Sequence, residues 1–91
     1  SKNAQPEQMV VLALTIRQDG ALWLDKDPVT LETLPAEIMR QSRERGAADD
    51  EEPTLQIFAD AMLPYQKLFD VLDALKKAGL KKISLQAKGG G

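Results

Sequence analysis

Two groups of side chains have the chemistry to act on a ligand. Asp60 ends the run Leu55 to Ala59, and Tyr65 stands five positions later across Ala61 to Pro64. A carboxylate and a phenol so spaced across a turn are, in principle, an acid–base pair at the mouth of a sheet. Asp49-Asp50-Glu51-Glu52 supply four consecutive carboxylates, the donor type that hard cations take. An EF-hand loop, however, alternates its ligands around a central glycine and ends on a distal glutamate, and this run does neither. A like-charge block of this kind reads as a solvated loop.

The chain contains no histidine and no cysteine. That removes an imidazole base, a thiolate nucleophile, a Cys/His zinc site and any disulfide framework. No G-x-G-x-x-G, P-loop or G-x-S-x-G motif occurs either. Asp60 then reads more simply as a side chain that bonds local amides where a strand turns toward a helix. Tyr65 and Trp23 read as half-buried aromatics with the polar tip in water. From residue chemistry alone the expectation is a non-catalytic module with no cofactor and no metal.

The 91 residues suffice for one domain with a single core. Hydrophobic residues make up 43% and charged ones 29%, the balance of a folded domain and not of a disordered one. A net charge of −2 offers no basic face to displace counterions, so nucleic acid is not an expected partner. The longest apolar run, Met9 to Ile16, falls far short of the roughly 20 residues that a spanning helix needs. No signal peptide is visible, and the absence of cysteine fits a periplasmic or a cytosolic location equally. The chain opens on Ser1 and closes on Gly89-Gly90-Gly91, and reads as an excised piece of a longer protein.

The elements that must position these residues follow from periodicity. Residues 1–8 are polar, contain Pro6, and read as a flexible lead-in to a domain at 9–88, with 89–91 as a glycine tail. Val10, Leu12, Leu14 and Ile16 alternate with smaller or polar residues, which predicts a strand. Asp19-Gly20 is a hairpin turn, and Ala21 to Asp25 return as a second, antiparallel strand with Trp23 on the opposite face from Leu22 and Leu24. Asp27-Pro28 is expected to be a turn, with Val29-Thr30 leading toward a helix that starts at Pro35 and stops at Gly46. Thr54 to Ala59 predict a third strand. A second helix opens at Pro64 or Tyr65, carries the stripe Leu68, Val71, Leu72 and Leu75 with Phe69 beside it, and closes at Gly79. Lys82 to Ala87 predict the last strand, with Ile83 and Leu85 on one face.

The resulting order is β-β-α-β-α-β. One apolar stripe per helix and one apolar face per strand predict an α+β two-layer sandwich, with both helices packed on one face of a mixed sheet. Strands 54–59 and 82–87 should be parallel, as should strands 21–25 and 54–59, with the first strand antiparallel to them. The other sheet face and at least one edge should stay open, and an unpaired edge is a docking site.

The stretch "IFADAMLPYQKLFDVLDALKKAGLKKISL" resembles the periplasmic domain of the ExbD/TolR family of biopolymer-transport proteins. The shared pattern is a strand ending in Ala-Asp, a short turn, Pro-Tyr, an amphipathic helix, Ala-Gly and a Lys-rich step into a strand. Upstream, "DGALWLDKDPVTLETLPAEI" is similar to the family's hairpin and its entry into the first helix. The likeness covers about positions 10 to 87, and "DPVT" with "AD…Y" places it nearer ExbD than TolR. It departs from the family at Gln66, where many members have glycine, and in its acidic loop at 49–52.

The resemblance implies energy transduction at a bacterial inner membrane. Family members have a short cytoplasmic tail, one transmembrane helix and this domain on the periplasmic side. They dimerise within an ExbB- or TolQ-like ring protein, and proton-motive force there drives motion passed to a TonB- or TolA-like protein for transport across the outer membrane. The family's proton-carrying aspartate belongs to the transmembrane helix, so Asp60 is not that residue. On this reading the domain captures an extended partner segment at its open edge, with Asp60, Tyr65 and Leu85 setting the fit. Two other readings remain: a TolR-like role in contact with peptidoglycan, and a small-molecule or cation-binding domain built on Asp60.

Overall fold

The computed structural model describes residues 9–87; the expected lead-in at 1–8 and glycine tail at 89–91 lie outside them. The elements are β1 (Val11–Ile16), β2 (Leu22–Leu24), β3 (Asp27–Val29), α1 (Leu34–Glu44), β4 (Thr54–Ala59), α2 (Tyr65–Lys77) and β5 (Ile83–Ala87). They form an α+β fold with one mixed sheet in the order β3-β2-β1-β4-β5.

β1 and β2 make the expected antiparallel hairpin, with Leu14 opposite Leu24 and Ile16 opposite Leu22. Gly20 sits at φ 92° in its turn, a conformation that costs glycine little and other residues more. The Arg17 N–H donates to the Ala21 carbonyl (2.9 Å), and the Gly20 N–H to the Arg17 carbonyl (2.8 Å).

The stretch after β2 departs from expectation. Asp27-Pro28 is not the turn; Asp25-Lys26 is, and Asp27–Val29 forms a short third strand antiparallel to β2. Proline is tolerated there because β3 is an edge strand, where a missing N–H breaks no ladder. The extra strand reverses the chain once more before α1, and this overturns the expected strand directions. β1, not β2, runs parallel to β4, in register from Val11 opposite Thr54 to Ile16 opposite Ala59. β4 and β5 are parallel as expected.

α1 begins at Leu34, one residue before the predicted start, so Pro35 occupies the second helical position, where no intrahelical N–H bond is lost. It ends at Glu44 with Arg45 as its cap, and Gly46, the expected terminator, follows at φ 97°. α2 begins at Tyr65 after Pro64, as its apolar stripe predicts.

Both helices cover the same sheet face. Leu34 and Ile38 of α1 and Val71 and Leu75 of α2 close over Leu12, Leu14, Ile16, Leu24, Leu55 and Ile57, all buried. Trp23, Thr15, Phe58 and Gln86 lie side by side on the other face, together with Gln56 and Ser84. Among the described residues no helix or strand covers that face. No helix among them is long and apolar enough to cross a membrane.

Candidate partner-binding edge and groove

One row across the sheet shows where the helical layer stops. Leu24, Leu14, Ile57 and Leu85 are in register from β2 to β5. The first three are fully buried, whereas Leu85 is 54% exposed. Leu85 points to the same side as its neighbours, but on the edge strand, where the two helices no longer lie above it. The main chain of β5 is equally open. The Leu55 N–H donates to the Lys82 carbonyl (2.8 Å), which sets the phase of the parallel ladder. In that phase Ser84 and Gln86 turn their N–H and C=O groups toward β4, and Ile83, Leu85 and Ala87 turn theirs outward.

Beside this edge lies a groove of about 450 Å³ between β5 and the start of α2, lined by Asp60, Leu63, Tyr65, Leu68 and Leu85 among others. Its rim is apolar. Tyr65 is 78% exposed, and its ring stacks on Phe69 with centroids 6.2 Å apart; Met62 and Phe69 are exposed as well. Tyr65 is therefore not the half-buried packing residue expected, because it lies off the side of α2 that Val71 and Leu75 bury. Met62, in the turn before α2, and Tyr65 and Phe69, on a side of α2 away from its buried Val71 and Leu75, follow at spacings of three and four. That spacing is readable in the sequence, although nothing in it marks Met62 as exposed. Trp23 sits away from the groove, half-buried on the open face with the Arg17 guanidinium 5.6 Å from its ring.

Asp60 shapes the turn. Its Oδ1 accepts the Met62 N–H (2.8 Å), its carbonyl accepts the Leu63 N–H, and its own N–H donates to the Ile16 carbonyl (both 3.0 Å). It is half-buried at one end of the groove and joins no ion pair among the described residues. No hydrogen bond links it to Tyr65 among those residues, so the two share a groove without forming an acid–base pair. Asp60, Tyr65 and Leu85 are thus brought together around one opening. A second hollow, at the carboxyl ends of β1 and β4, is lined by Arg17, Gln18, Asp19 and Asp60.

The acidic run divides by position. Asp49 and Asp50 are exposed, as a solvated loop requires. Glu51 accepts the Ala48 N–H (2.9 Å). Glu52 reaches across to the entry of β5, where its Oε2 accepts the Lys81 N–H and, at 2.7 Å, the Lys82 N–H. These amides, Lys81 first, hold its carboxyl below the usual carboxylate range. No local pattern links position 52 to position 81; the parallel pairing of β4 with β5 brings them together. Among the described residues no group of three acidic side chains is placed to hold a metal ion.

No curated protein matches the chain. A family model described as "Biopolymer transport protein ExbD/TolR" matches residues 1–90.

Proposed function

The chain belongs to the ExbD/TolR family of biopolymer transport proteins, and from that premise we propose that it is a periplasmic coupling domain that captures an extended segment of a TonB- or TolA-like partner along β5. The family serves energy transduction for biopolymer transport and works without enzymatic chemistry of its own. In the finer reading an inner-membrane anchor connects this domain to an ExbB- or TolQ-like ring. Proton-motive force moves the anchor, and the domain passes that motion to the partner it holds. The role is ExbD-like, with dimerisation of the domain.

The observation that carries this reading is the open main chain of β5 beside an apolar groove. An added strand would satisfy the outward groups of Ile83, Leu85 and Ala87. It would also cover Leu85, Tyr65 and Phe69, exposed apolar side chains of the kind that mark interaction sites when they cluster. A five-residue edge buries well under the roughly 1,200 Å² of a stable complex, so the isolated domain should bind and dimerise weakly. Weak capture suits a part that must release its partner in every cycle.

The test is a titration of the isotope-labelled chain with peptides from the periplasmic region of a TonB-like protein, followed by amide chemical shifts. Shifts concentrated on 83–87 and on the first turn of α2 support the reading. Shifts confined to regions away from β5 and the first turn of α2 would refute it.

A further inference from the structure

We propose that the groove beside β5 selects an extended partner segment in which a basic residue lies two positions from an apolar one, the cation seated on Asp60 and the apolar side chain over Leu85. The proposal rests on the β5-edge reading and names the chemistry of the segment captured there.

Strand geometry sets the spacing. A strand added to β5 sends alternate side chains to the groove side, about 6.5–7 Å apart. Ile57 is opposite Leu85 and Ala59 opposite Ala87, and Asp60 follows Ala59 directly. A groove-side residue level with Leu85 therefore meets Leu85, Tyr65 and Leu68. The next residue on that side, level with Ala87, arrives beside Asp60. Level with Ile83, in the other direction, a second apolar residue fits.

Charge sets the identity. Asp60 is half-buried, spends Oδ1 on the Met62 N–H, and forms no ion pair among the described residues; Arg17, which lines the neighbouring hollow with it, holds its guanidinium over the Trp23 ring. A partly desolvated carboxylate without a counterion gains from an incoming ammonium or guanidinium more than a fully hydrated one does. The opposite end of the edge is preceded by Lys81 and Lys82, both exposed, against the single carboxylate of Glu52 on their amides, so a basic residue is favoured at the Asp60 end over the other. Because the edge is short, such a charged contact sets the specificity of an otherwise weak complex.

The same spacing argues against a second copy of this chain as the best occupant. Two positions from Leu85 on β5 stand Ile83 and Ala87, so a neighbouring β5 that lays its Leu85 over this one brings Asp60 no cation.

The experiment uses capped peptides with a Thr-Val host, in which valine alternates and one groove-side position is lysine or glutamate. Two sequence directions, Val-Thr-Val-Thr-Lys and Lys-Thr-Val-Thr-Val, cover parallel and antiparallel addition. Each is titrated into the labelled chain and read at the β5 amides. In at least one direction the lysine peptide should bind about tenfold more tightly than its glutamate twin. The preference should fall at about 0.5 M salt and vanish in Asp60→Asn, which retains an acceptor for the Met62 N–H. Equal binding of the twins, or a lysine preference that persists in Asp60→Asn or at high salt, overturns the proposal and leaves the β5 edge standing as a docking site. If no peptide shifts the β5 amides, or if self-association of the chain keeps the edge occupied, the proposal falls together with the reading beneath it.

Discussion

Asp25 holds a left-handed backbone conformation (φ 53°) at the turn between β2 and β3, and its side chain completes the ladder there. Its N–H donates to the Ala13 carbonyl (2.8 Å), and its Oδ1 accepts the Ala13 N–H (3.1 Å). Its Oδ2 pairs with Arg45, which also donates to the Val11 carbonyl (3.0 Å) and so ties the end of α1 to β1. Asp25→Ala loses the bond and strains the backbone, and should cost about 2 kcal/mol in urea unfolding. Asp25→Asn keeps the acceptor and tolerates the conformation, so it should cost less than about 1 kcal/mol, the value of an exposed ion pair. Ser42 presents the opposite case, a buried hydroxyl with no partner among the described residues. Ser42→Ala should stabilise the domain by about 1 kcal/mol, visible as a higher denaturation midpoint. The turn at Asp19-Gly20 was legible because its chemistry is local. Asp25 was not, since its partners lie 12 and 20 positions away.

Among the elements, β3 and β5 mark the two edges and are protected to different degrees. β3 is three residues long and carries Pro28, both of which discourage further pairing. β5 has five residues, no proline, and an entry clipped by Glu52. The Glu52 carboxyl is held below its usual range by the Lys81 and Lys82 amides, so its folded value lies under its unfolded one. Its contribution is therefore complete above the unfolded value and is lost as pH falls through the lowered folded value. In acid, Lys81 and Lys82 should lose amide-exchange protection, corrected for intrinsic rates, ahead of the core strands. Glu52→Gln should weaken that protection at neutral pH and abolish its acid dependence. α1 and α2 were readable from their stripes to within a residue, because a period of 3.6 is a property of the segment alone. The three-residue β3 has no such period, and its proline argued for a turn.

For the whole molecule, one row of side chains separates what holds the fold from what stays exposed beside it. Leu14 is enclosed by sheet and helices, and Leu14→Ala should cost about 2–5 kcal/mol in urea unfolding. Leu85, two strands further along the same row, is half-exposed; Leu85→Gln should change stability by no more than about 0.5 kcal/mol. That variant should nonetheless lose the peptide-induced shifts at β5. A large loss of stability in Leu85→Gln, or full retention of peptide binding, would contradict the division between core and docking surface.

By itself the sequence determined the α+β class, the helices and most strands, the lack of histidine and cysteine, and the family likeness across positions 10 to 87. Alternation, helical period and turn chemistry act over a few residues, so they can be read without neighbours. Tertiary structure alone decided the strand directions, since one unrecognised three-residue strand reverses the sense of everything before the first crossover. It also decided that Glu52 serves β5 and that Leu85 lies beyond the helices while Leu14 lies beneath them. An apolar residue on an edge strand and one on a central strand look alike in a periodic pattern. Only the packed neighbours, dozens of residues away, distinguish a core position from an exposed one.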